Sequence, residues 1–87
     1  MSSMEALVNE NPINAYPNPS NNAFTIQFET EQEQVEFMIY DYNGRLVETG
    51  HVMSDETIHI GEDYVAGMYL VVAFIDGEHK IIRLVKW

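Results

Sequence analysis

Apolar and polar residues alternate with a period of two along much of the chain. Residues 24–28 and 35–40 both place an apolar residue at every second position. Alternation with this period is typical of β-strands that bury one face. We therefore predict one inward row of core side chains, made of Phe24, Ile26, Phe28, Val35, Phe37 and Ile39.

Four further segments have the composition of strands. Residues 45–53 form a weaker strand that is interrupted by Gly50, which we interpret as the position of a bulge. Residues 57–60 are short and alternate. Residues 67–75 are apolar on both faces, as expected for a central strand covered on each side, and residues 80–86 form the last strand. The second set of core residues is then predicted to be Leu70, Val72 and Phe74, with parts of the last strand.

Two dipeptides predict tight turns between these strands. Asn43-Gly44 and Asp76-Gly77 each separate two strand-like segments. Two-residue type I′ turns need a positive φ at both central positions, and these dipeptides tolerate it best. We therefore predict two hairpins, which pair residues 35–42 with 45–53 and residues 68–75 with 78–86.

The remaining connections complete an all-β prediction. Residues 17–22 are rich in proline, asparagine and serine, and prolines fix φ and exclude a helix. No long helical pattern occurs. Six or seven short strands spaced by about ten residues indicate an antiparallel β-sandwich of immunoglobulin-like build, with about seven short strands.

Length, charge and the lengths of the apolar runs exclude several classes of partner. The chain has 87 residues, no cysteine, and 14 acidic against 4 basic residues, for a net charge of −10. This length fits one domain. The charge argues against nucleic acid as a partner and against binding to an anionic membrane surface. The longest apolar run, residues 68–75, is too short to cross a membrane as a helix.

The few basic residues are concentrated at one end. Lys80, Arg83 and Lys86 are three of the four bases, so residues 80–87 carry +3 on an otherwise anionic chain. Charged residues on an edge strand block aggregation between edges. They also mark a segment that a partner can read by pairing with its backbone. We hypothesise that the last strand is an exposed edge with this second role.

Candidate catalytic and metal-binding residues are few. His51, His59 and His79 have spacings that fit no zinc template, and no serine lies in a Gly-x-Ser-x-Gly motif. We expect no catalytic residue, no metal and no cofactor, with calcium between loop carboxylates as the open alternative. A sugar-binding platform of tyrosines and Trp87 is a further alternative. In the competing interpretation, Tyr16 and Tyr69 pack at strand ends and direct their hydroxyls to the backbone.

Four motifs occur in a specific order. They are Tyr16-Pro17-Asn18-Pro19, Asp41-Tyr42-Asn43-Gly44-Arg45, Gly67-Met68-Tyr69, and Lys80 to Lys86 at the end. In this order and at these separations, the sequence resembles the type A C-terminal sorting domain of the type IX (Por) secretion system. The resemblance runs from about residue 14 to the end. Residues 1–13 are then a linker or a remnant of recombinant expression, and residues 14–87 are the sorting domain.

The resemblance implies a transport label without enzymatic activity. Its partners would be the outer-membrane translocon, a sortase-like peptidase that removes the domain, and a covalently fused upstream cargo. The cargo would pass through the periplasm of a Gram-negative cell and end outside it or on its surface. No nucleic acid and no membrane insertion are expected. The alternative is an accessory immunoglobulin-like module that binds carbohydrate or mediates adhesion.

The resemblance also assigns residues. The positions carried over as translocon recognition residues are Gly67, Tyr69, Lys80, Arg83, Leu84, Val85 and Lys86. The family turn motif is carried by Asp41, Asn43, Gly44 and Arg45. Asp41 and Arg45 flank the predicted turn and are expected to pair, with an energy well under 1 kcal/mol if the pair is exposed.

Overall fold

In the part of the chain that the structure describes, seven antiparallel strands form two sheets that pack as a sandwich. The computed structural model describes residues 11–53 and 55–87, so most of the predicted linker lies outside the described residues. The strands are β1 (Ile13–Tyr16), β2 (Phe24–Phe28), β3 (Gln34–Asp41), β4 (Leu46–Met53), β5 (Thr57–Ile60), β6 (Gly67–Ile75) and β7 (Glu78–Lys86). Their order is β1-β2-β5 in one sheet and β4-β3-β6-β7 in the other. The predicted all-β sandwich is confirmed.

The predicted inward row of β2 and β3 forms the centre of the core. All six of its side chains are buried, and the rings of Phe28 and Phe37 lie 6.3 Å apart between the two sheets. Leu84 of β7 is also fully buried. Because successive side chains of a strand point to opposite faces, the alternation of apolar residues translates directly into burial.

The predicted orientation of β6 is wrong. The structure buries Tyr69, Val71, Ala73 and Ile75, whereas Leu70 and Phe74 are 40% and 46% exposed and Val72 is half-buried. The pairing with β3 decides the orientation, since Val71 lies opposite Ile39 and therefore shares its inward face. A strand that is apolar on both faces does not reveal this phase in its sequence. The expectation that both faces are covered is also wrong, because the outer face is solvent-exposed.

The two hairpin turns differ from each other. Asp76 and Gly77 have φ values of 55° and 82°, so the second turn has the predicted positive φ at both positions. In the first hairpin only Gly44 has a positive φ. Its loop has three residues, because the N–H of Asp41 donates to the carbonyl of Arg45 (2.9 Å) and so closes the turn one residue later than predicted. The Asp41 carboxylate favours this longer turn, because its Oδ1 accepts from the N–H groups of Asn43 and Arg45.

The irregularity in β4 does not lie at Gly50, where the sequence suggested a bulge. Ile39 pairs with Glu48 and Tyr40 pairs with Leu46, which leaves Val47 as the extra residue. Gly50 lies opposite Phe37, and a Cβ there would come within 3.0 Å of the ring. The glycine therefore makes room for a core phenylalanine.

Strand β1 was not predicted. It pairs with β2, and its Ile13 is buried at 4% exposure. The N–H of Glu29 donates to the carbonyl of Pro12 (2.7 Å) just before the strand. Four residues are too few to show an alternating pattern, so only the pairing with β2 identifies this strand.

Candidate recognition surface around the last strand

Strand β7 lies at the edge of the four-stranded sheet, and the Pro17–Pro19 segment covers that edge. The side-chain amide of Asn18 donates to the carbonyl of Arg83 (2.8 Å). Its Oδ1 accepts from the N–H of Val85 (2.9 Å). Both X–Pro bonds in this segment are cis. Because the flanking prolines have no N–H, the side chain of Asn18 makes the bonds that a backbone strand would make.

The same cover extends to both sides of Asn18. The N–H of Ser20 donates to the Val85 carbonyl (3.0 Å), and the N–H of Trp87 donates to the Ser20 carbonyl (2.9 Å). Upstream, the Asn11 side chain donates to the carbonyl of Ile81 (3.0 Å). Residues 11–20 therefore occupy much of the outward hydrogen-bonding capacity of β7, and the hypothesis that this strand is an exposed edge is wrong. The Pro-Asn-Pro motif predicted only a turn at this position. An amide side chain between two prolines, which have no backbone N–H, is the sequence feature that points to this role.

Lys86 is buried, with 6% of its surface exposed. Its ammonium donates to the backbone carbonyls of Asn22 (2.7 Å), Gly61 and Glu62 (3.1 Å). These carbonyls belong to connections that flank strands of the other sheet. Lys86 therefore joins the end of β7 to the opposite layer of the sandwich.

Two other residues predicted to recognise the translocon are buried inside the domain. Leu84 is in the core, and Tyr69 is 5% exposed. The Tyr69 hydroxyl donates to the Val65 carbonyl (2.6 Å), as expected from the packing interpretation, and its ring lies 4.7 Å from that of Tyr64. Tyr16 differs, since it is 49% exposed.

Lys80 and Arg83 are the accessible cations of β7. Arg83 is exposed on the outer face of the sheet. Lys80 is one-third exposed and pairs with Glu78 at 2.9 Å. This hydrogen bond holds the pKa of the Glu78 carboxyl below its usual value. Val85 is half-buried and lies on the same face of the sheet as Arg83, whereas Lys80 lies on the opposite face.

The turn motif and the Gly67–Tyr69 motif share one cleft. The cleft has a volume of about 400 Å³ and is lined by Asp41, Asn43, Arg45, Gly67 and Tyr69 among others. Gly67 adopts a φ of 152°, which side-chain-bearing residues rarely adopt. The fold thus brings together two motifs that lie more than 20 residues apart in the sequence.

Asp41 and Arg45 form the expected ion pair, with Nε and Oδ2 3.1 Å apart. The pKa of Asp41 is lowered, chiefly by the hydrogen bond from the backbone N–H of Arg45 and further by the N–H of Asn43 and the guanidinium. Arg45 is 81% exposed, so the pair contributes little to stability. Together with the N–H groups of Asn43 and Arg45, which also bond the Asp41 carboxylate, the ion pair holds the turn in one conformation.

Tyr64 makes a second polar contact at the same cleft. Its hydroxyl donates to Oε1 of Glu48 (2.7 Å), and burial, followed by the nearby Glu48 carboxylate, raises its pKa. Because the neutral hydroxyl is favoured in the folded state, this contribution to stability is fully present below pH 10.

We expect the free energy of unfolding to fall as pH rises above 10, the usual pKa of a tyrosine, since the unfolded state then ionises Tyr64 while the folded state resists it. Urea unfolding at pH 8 and at pH 11 measures the loss. The Tyr64→Phe variant is the control, and it should lose less between the two pH values than the wild type. An equal loss in both proteins would contradict the assignment.

Within residues 11–53 and 55–87, no three metal-ligating side chains are grouped in a way that could hold a metal ion. The structure also shows no helix in this range that is long and apolar enough to span a membrane. Of the aromatic residues considered for a sugar platform, Tyr69 is buried and Tyr64 is half-buried against it. The residues that the resemblance assigns to recognition and to the turn motif lie on β7 and around the shared cleft.

Comparison with known proteins agrees with the motifs. No curated protein matches the chain as a relative. The sequence model of one family, described as the secretion system C-terminal sorting domain, matches residues 14–86. This range contains all four motifs and every described strand except the first residue of β1. It confirms the resemblance drawn from the sequence, and the family is one of sorting signals and not of enzymes. The chain belongs to the C-terminal sorting domains of the type IX secretion system.

Proposed function

We propose that this domain directs a covalently attached upstream cargo through the type IX translocon of the outer membrane. The observation that carries the proposal is the family match over residues 14–86, which includes nearly the whole sandwich. In the proposed route, the cargo crosses the periplasm and a sortase-like peptidase then removes the domain. The cargo is released or anchored at the cell surface.

The proposed recognition residues act in two ways. Lys80, Arg83 and Val85 have accessible surface and contact the translocon directly. The buried or backbone-determining positions hold the last strand and the cleft in shape for that contact; they are Gly67, Tyr69, Leu84 and Lys86. The domain performs no chemistry in this proposal.

An export assay tests the proposal. Residues 1–87 are fused to the C-terminus of a fluorescent reporter that carries its own periplasmic export signal, in a host with a type IX system. We expect the reporter in the medium or on the cell surface. A matched fusion that carries only residues 1–10 should leave the reporter in the periplasm. Periplasmic retention of the full fusion would overturn the proposal.

A charge variant tests the direct role of the accessible cations. Lys80→Ser/Arg83→Ser should lower export, whereas Gln27→Ser/His59→Ser, on the outer side of the other sheet, should not. Thermal unfolding of the purified domains shows whether each variant is folded. Unchanged export of the folded double variant would contradict the role of these two side chains.

A further inference from the structure

The four-stranded sheet has an apolar surface on its solvent side. Its centre consists of Met38, Tyr40, Leu70, Val72, Phe74 and Ile81, which we call the outer apolar face. The strand register places these side chains in contiguous rows, with Val72 between Met38 and Ile81. Leu70, Phe74 and Ile81 remain 40%, 46% and 52% exposed. Contiguous exposed apolar residues of this kind mark interaction sites.

Charge is nearly excluded from this side of the sheet. Among the outward positions of β3, β4, β6 and β7, only Glu36 and Arg83 carry a charge, although the chain has 14 acidic residues. The solvent side of the other sheet is polar, with residues such as Thr25, Gln27 and His59. Depletion of charge in an apolar centre is the composition of a protein–protein interface core.

Acidic residues are held at one end of the face. The Gln32 side chain donates to the Phe74 carbonyl (3.1 Å) and accepts from the Asp76 N–H (2.8 Å). The hydroxyl of Thr30 also donates to the Asp76 carboxylate (3.2 Å). These bonds fix the connection between β2 and β3 beside Phe74. Its exposed Glu31 and Glu33 therefore lie, with Asp76, at the Phe74 end.

We infer that the outer apolar face docks a folded partner protein whose contact surface has an apolar centre and basic residues opposite Glu31, Glu33 and Asp76. The inference rests on the proposed function, and the partner is then a component of the export machinery. A second copy of the chain is a poor occupant. Each copy carries −10, and one Arg83 cannot offset the acidic end of a facing copy.

A triple variant of the face tests the inference in the export assay. Leu70→Ser/Phe74→Ser/Ile81→Ser removes the apolar centre, and Thr25→Ser/Gln27→Ser/His59→Ser is the matched control on the polar side of the other sheet. We expect at least about a tenfold loss of export for the face variant, since central apolar contacts dominate binding. The control should be exported like the wild type. Should the triple variant lack a cooperative unfolding transition, Ile81→Thr alone should still lower export several-fold.

The acidic end has its own test. Glu31→Lys/Glu33→Lys should lower export while leaving the apolar centre intact. Asp55→Lys/Glu56→Lys makes the same charge change on exposed residues elsewhere and should have little effect. Equal export of the two charge variants would contradict a partner with basic residues at this position.

The outcomes separate this inference from the proposed function. Normal export of the wild-type fusion together with normal export of a folded face variant overturns the inference alone. Retention of the wild-type fusion overturns the proposed function and, with it, the inference.

Sedimentation of the purified domain tests whether a second copy occupies the face. We expect a monomer. A wild-type dimer that the face variant converts to a monomer would show that a second copy covers the outer apolar face, and it would overturn the inference.

Discussion

The Leu84→Ala variant should lose about 2–5 kcal/mol of unfolding free energy, as expected for a leucine truncated in a close-packed core. Leu84 is fully buried, and it is the most deeply buried apolar side chain of the last strand. Truncation leaves a cavity between the two sheets. Urea unfolding followed by far-ultraviolet circular dichroism measures the loss.

The matched control for this prediction is Ile81→Ala. Ile81 lies on the same strand but is 52% exposed on the outer side. Its truncation should cost less than about 1 kcal/mol, because little apolar surface is withdrawn from water there. Similar losses in both variants would contradict the placement of Leu84 in the core. If the prediction holds, reduced export of a Leu84 variant should be attributed first to the destabilised fold and not to the loss of a direct contact with the translocon.

The Lys86→Met variant should lose at least about 2 kcal/mol of unfolding free energy. Methionine keeps much of the length of the side chain but removes the three hydrogen bonds from the ammonium. The carbonyls of Asn22, Gly61 and Glu62 then lose a charged donor, and hydrogen bonds to charged groups contribute more than neutral ones. The same unfolding measurement applies.

Lys80→Met provides the comparison. Lys80 is one-third exposed, and its partner Glu78 is mostly exposed, so losing this solvent-screened pair should cost much less than losing the buried hydrogen bonds of Lys86. The difference between the two lysines separates a buried structural cation from a surface cation on one strand. A smaller loss for Lys86→Met than for Lys80→Met would contradict the described role of Lys86.

The sequence predicted those parts of the fold that depend on local pattern. Apolar and polar residues alternate so regularly in residues 24–28 and 35–39 that the pattern alone predicts which side chains face the core. The phase of β6 could not be predicted, because Leu70 and Val71 are equally apolar and only the pairing with β3 selects which of them is buried. Strand β1 depends in the same way on a partner distant in the sequence.

The candidate site was predicted less completely than the fold. The motifs identified the family, and the pairing of Asp41 with Arg45 follows from their positions across a turn. The positions of Asn18 and Lys86 depend on tertiary contacts over more than 60 residues of separation. No local rule reveals that a terminal lysine points inward, since lysine is almost always found at the surface.

The closure of the sandwich by β7 has a consequence for biosynthesis. Leu84 completes the core, and Lys86 and Val85 connect to the opposite layer and to Ser20. A nascent polypeptide whose translation stops before these residues lacks the strand that seals the domain. In a sorting domain built in this way, the residues assigned to recognition on β7 and the closure of the core depend on the same strand, so a domain truncated before β7 should lack both.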